Sequence, residues 1–68
     1  MFEQYVQEMQ DEYREQIDNI ALRQNEQDKR RELLHVLRMA VADQRWSIGT
    51  RLAFADWLLT DNRRLIQC

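Results

Sequence analysis

The chain has 68 residues, 44% hydrophobic and 32% charged, which is enough for one small domain with a thin core. Ten basic residues, nine of them Arg, against twelve acids leave a net charge of −2, which argues against a dedicated nucleic-acid coat or a polybasic membrane anchor. One His, one Cys, one Gly and no Pro leave almost nothing from which to build a triad, a metal cage or a phosphate loop, so no catalytic residue, metal or cofactor is expected.

Along the first segment, Phe2, Tyr5, Val6, Met9, Tyr13, Ile17, Ile20 and Ala21 recur at steps of three and four, with Glu, Gln and Asp between them. That spacing predicts an amphipathic helix over about 2–24. The steps are nearer an eleven-residue repeat than a heptad, which suits a nearly straight helix. The start of the chain is acidic and lacks an apolar run, so neither a signal nor a transit peptide is expected. The most apolar stretch, Leu52 to Leu59, is about half the length a bilayer span requires, and the protein is expected to be cytoplasmic.

Ten polar residues, RQNEQDKRRE, separate Leu22 from Leu33. Either the chain turns near Asn25 to Asp28, with Asn25 or Asp28 capping a second helix, or one long helix crosses an exposed gap. The turn is preferred because a chain this short gains a core only by folding back on itself.

A second helix is predicted over about 28–45, with Leu33, Leu37, Ala40 and Val41 as a continuous face that Leu34 and Met39 widen enough to touch two neighbours. Gly49, the only glycine, then reads as a left-handed helix C-cap and Thr50 as the next N-cap. A third helix over about 50–60 sets Leu52, Ala55, Leu58 and Leu59 on one face, with Phe54 and Trp57 beside it. Asp61 and Asn62 signal a turn, and Arg63 to Ile66 form either a last helical turn or a tail.

The expected fold is one all-α domain over 1–68, a hairpin of two longer antiparallel helices plus a short third helix, assembled into an oligomeric bundle. Phe2, Val6, Met9, Tyr13, Ile17, Ile20, Leu33, Leu37 and Val41 would form the hairpin core. Charge is divided unevenly, at −5 over residues 1–22, +2 over 23–45 and +1 over 46–68. An acidic first helix beside a basic second one favours that orientation within a chain or across a dimer.

Six aromatic residues are more than one thin monomer readily encloses, so Trp46, Phe54, Trp57 and Leu58 are the expected anchors for a second copy or another protein. The function expected is a small non-enzymatic, homo-oligomeric protein-protein interaction module. The alternative is a nucleic-acid-binding regulator, using Arg23, Lys29, Arg30 and Arg31 as a phosphate patch, or a degenerate helix-turn-helix with its turn at Ile48-Gly49. His35 reads as a helix-face residue without metal-ligand neighbours, and Glu8, Asp11, Glu12 and Glu15 share one helix that offers no cleft for paired-carboxylate chemistry. Cys68 has no second cysteine to pair with.

The stretch RLAFADWLLTDNR, Arg51 to Arg63, is similar to the R-L-x-[YF]-A-D-W-L segment of a short bacterial repeat-companion domain, over less than a quarter of the chain. In its small size, helical hairpin and Gln/Glu/Arg-rich surface, the chain also resembles early-region accessory proteins of lambdoid phages. That likeness implies a small host-modulating or developmental regulator, an accessory protein acting by protein contact.

Overall fold

The computed structural model describes residues 2–67, with side chains described over 5–65. The core role expected of the Phe2 side chain and any role of Cys68 fall outside that range. Four helices follow in order: α1 over Phe2–Ala21, α2 over Glu26–Val41, α3 over Ile48–Asp61 and the five-residue α4 over Arg63–Gln67.

α1 ends on i→i−3 bonds, from Leu22 N–H to Asn19 O and from Arg23 N–H to Ile20 O, which tighten the last turn where no apolar residue continues the stripe. The chain then turns, and Asn25 caps α2. Its backbone is extended, and its Oδ1 accepts from the backbone N–H of Gln27 at 2.8 Å and of Asp28 at 3.3 Å. Glu26 and Asp28 in the first turn complement the helix dipole.

α2 stops at Val41, four residues short of the predicted end, because Asp43 takes over the local hydrogen bonding. Its Oδ1 accepts from the Arg45 backbone N–H at 3.2 Å, while its carbonyl accepts from Trp46 N–H at 3.2 Å. A short carboxylate that bonds the backbone two residues on offers the chain a turn in place of another helical turn. The N-cap of α3 is Ser47, not Thr50, and Gly49 lies in the first helical turn without a positive φ. Ser47 Oγ accepts from Thr50 N–H at 3.2 Å and lies 2.9 Å from Thr50 Oγ1, which lets the Thr50 hydroxyl be buried. Arg51 then reaches back, donating from Nε to Trp46 O at 3.0 Å and from Nη1 to Val41 O at 2.7 Å. A cation on the Val41 carbonyl satisfies a group that the end of α2 leaves open.

α1 and α2 are antiparallel, since Arg23 meets Glu32 near the first turn and Tyr13 meets Asp43 beyond the far end of α2. α3 runs back alongside both and is nearly as long as α2, so the hairpin and third helix form an up-down-up bundle. Met9, Tyr13 and Ile20 of α1, Leu33, Val36 and Ala40 of α2, and Phe54 and Leu58 of α3 form the core. Each large side chain fully buried there contributes about 1.5–3 kcal/mol. Of the expected hairpin core, Met9, Tyr13, Ile20 and Leu33 are buried and Val6, Ile17 and Leu37 half-buried, whereas Val41 is exposed. The buried face of α2 is instead Leu33, Val36 and Ala40, because α1 and α3 pack from both sides of that line.

Candidate interaction surface

The four residues expected to anchor a partner divide into two pairs. Phe54 and Leu58 are 0% exposed and occupy the centre of the chain's own core. This corrects the expectation for both, because α3 packs on α1 and α2 with Thr50, Phe54 and Leu58, the residues at i, i+4 and i+8. Trp46 and Trp57 are half-buried against that core. The Trp57 ring lies 5.6 Å from that of Phe54, which lies 5.4 Å from Tyr13, a tilted aromatic row linking α3 to α1. Trp46 Nε1 is buried and has no hydrogen-bond partner among the described residues.

The basic turn is not assembled as one free patch. Arg23 Nε pairs with Glu32 Oε2 at 2.9 Å, and Arg31 Nη2 lies 3.6 Å from Asp28 Oδ1. Arg30 Nε donates to Leu65 O at 2.7 Å, tying α2 to α4, and Lys29 borders a groove by Leu33 and Leu65. Three of the four cations are thus engaged within the chain. Nor does the turn of a helix-turn-helix fall at Ile48-Gly49. Those residues open α3, and residues 42–47 make a connection of six, longer than that motif's three or four. His35 is exposed, and no group of three metal-ligating side chains is found among the described residues.

Tyr13, Asp43, Arg45 and Glu12 form the strongest polar cluster. Arg45 grips Asp43 through Nε–Oδ1 at 3.0 Å and Nη2–Oδ2 at 2.8 Å, and extends Nη1 to Glu12 Oε1 at 3.2 Å. The Tyr13 hydroxyl donates to Asp43 Oδ2 at 3.0 Å. The Arg45 hydrogen bonds hold the Asp43 carboxyl well below the usual carboxylate range. Burial, and then the bond to Asp43, raise the Tyr13 phenol above its ordinary value. The cluster joins α1 to the α2–α3 connection through side-chain hydrogen bonds.

Sequence reasoning missed the apolar surface that remains uncovered. Ile48 and Leu52 of α3 are 59% and 56% exposed, and Leu59 of α3 and Leu34 and Val41 of α2 are also exposed. Ile48, Leu52 and Leu59 recur at i, i+4 and i+11, and Leu34 and Val41 at i and i+7, so each set is one stripe of its helix. The contacts of Arg51 with Val41 O and of Arg30 with Leu65 O fix which flank of α2 faces α3 and α4, and both stripes lie on that side. The available signal was that α3 is apolar around most of its circumference. A helix of that kind has neighbours on more than one side.

No protein-family model matches the chain, and comparison with curated proteins and with solved structures finds no match. No described helix is long and apolar enough to cross a membrane.

Proposed function

We propose that the chain is a small non-enzymatic helical interaction module that self-associates through the exposed face of α2 and α3, as a regulatory accessory protein acting by contact. The observation carrying this reading is the pair of stripes Leu34/Val41 and Ile48/Leu52/Leu59, left uncovered while the core beneath them is closed. Isolated exposed leucines are ordinary, but exposed aliphatic residues that recur along one stripe of a helix favour an interface.

The test is Leu52→Glu combined with Leu59→Glu, two surface changes that leave the core intact. Sedimentation velocity should show the parent as a dimer or larger and the variant as a monomer of unchanged helical content. An unchanged sedimentation coefficient would remove this face as the interface.

A further inference from the structure

The two exposed stripes repeat one spacing with opposite charge. Leu34, Arg38 and Val41 stand at i, i+4 and i+7 of α2, and Leu52, Asp56 and Leu59 stand at i, i+4 and i+7 of α3. All six residues are exposed. The two helices are antiparallel, held in register by Arg51 on Val41 O at one end and by Arg30 on Leu65 O at the other. Each stripe spans about 10.5 Å of helix. Val41 thus stands level with Leu52, Arg38 with Asp56 and Leu34 with Leu59, which places a charged tier between two apolar ones. The Arg38 and Asp56 side chains pair neither with each other nor with any other described residue. The charges beside them are already engaged or turned away: Arg31 lies 3.6 Å from Asp28, Arg51 is held by the Val41 and Trp46 carbonyls, and His35 and Asp61 border α1.

This face is complementary to itself. A twofold axis parallel to the helices exchanges α2 and α3 between copies and keeps every level, so Val41 meets Leu52, Arg38 meets Asp56 and Leu34 meets Leu59 of the second copy, each contact made twice. A twofold axis across the helices would instead lay α2 on α2 and α3 on α3, setting Arg38 against Arg38 and Asp56 against Asp56, which like-charge repulsion disfavours. We infer that the proposed self-association, on which this inference rests, is an isologous dimer in which α2 of each copy packs on α3 of the other, with two equivalent Arg38–Asp56 pairs setting its orientation. The apolar tiers supply most of the affinity, while charges enclosed between them discriminate between arrangements more than they strengthen the right one.

The test is sedimentation velocity on the whole chain over a concentration series, with circular dichroism to check helical content. Arg38→Asp alone and Asp56→Arg alone each place two like-charge contacts in the dimer, and each should weaken it by about tenfold or more. An equimolar mixture of the two variants should dimerise as the parent does, because the mixed dimer joins two carboxylates of one chain to two guanidinium groups of the other. Both changes in one chain should restore assembly in the same way. Single variants that assemble like the parent would overturn the pairing and leave self-association standing, as would weakened variants that mixing fails to restore. A parent monomeric at every concentration would remove self-association itself and this geometry with it. Should a charge reversal reduce helical content, Arg38→Gln and Asp56→Asn make the same comparison: each should weaken the dimer, and together they should weaken it less than their separate effects multiplied. Fully independent effects would overturn the pairing.

Discussion

Asp43 sits one residue past the C-cap of α2, and its side chain is only 10% exposed yet charged. Arg45 makes this tolerable by presenting two parallel donors, and the Tyr13 hydroxyl supplies a third. Because its folded pKa lies below that of the unfolded chain, Asp43 contributes stability above about pH 4, lost progressively as pH falls through the folded value. Asp43→Asn should therefore lower Tm at pH 7 and flatten its dependence on pH below 4, measured by circular dichroism melts. A variant melting curve that falls with acid as steeply as the parent's would disconnect the carboxylate from acid stability. The phenol works in the opposite sense. Its folded pKa is raised, so its contribution is present below about pH 10 and lost as pH rises through the folded value. Tyr13→Phe should weaken the loss of stability above pH 10.

Phe54 shows how a single residue changes meaning with the fold. On sequence grounds it is an interface anchor, but in the structure it is the central core residue, touching Tyr13 and Trp57. Phe54→Ala should cost about 3–5 kcal/mol, most of the stability a domain this small has. Urea unfolding should therefore show a chain that is largely unfolded rather than a folded monomer.

Among the elements, the helix caps follow most directly from local chemistry. Asn25 accepts two backbone donors and Ser47 one, so Asn25→Ala or Ser47→Ala should each cost about 1 kcal/mol in urea denaturation. The turn at Asn25 was legible because a polar run with a good capping residue interrupts two apolar stripes. The break before α3 was misplaced, since the lone Gly49 drew the boundary past Ser47 although the Ser-x-x-Thr spacing carries the cap. The register of the buried faces was legible for α1, where polar residues fill every other side. It was not for α2 and α3, whose apolar residues exceed one stripe. Only tertiary packing chooses Val36 over Val41 and Phe54 over Leu52.

At the scale of the molecule, the all-α hairpin with a third helix could be read from periodicity and length, and the division of charge between α1 and the remainder from counting. What could not be read was which surplus apolar residues stay outside, because that depends on the side each helix turns to its two neighbours. The bundle buries Tyr13 and Phe54, half-buries Trp46 and Trp57, and leaves Tyr5 and aliphatic residues of α2 and α3 in the open. A chain of this size buries only about 60% of its unfolded surface, so covering that face with a second copy, as proposed, would add to a thin core as well as create an assembly. Since the face is apolar, the assembly should persist in high salt, unlike one held by the acidic and basic segments.

The central claim is self-association, and the most direct measurement is light scattering on material eluting from size exclusion over a range of loading concentrations, in low and high salt. The account predicts at least twice the chain mass of 8.4 kDa at the higher concentrations, retained when salt is raised. A folded species of 8.4 kDa at every concentration would contradict it.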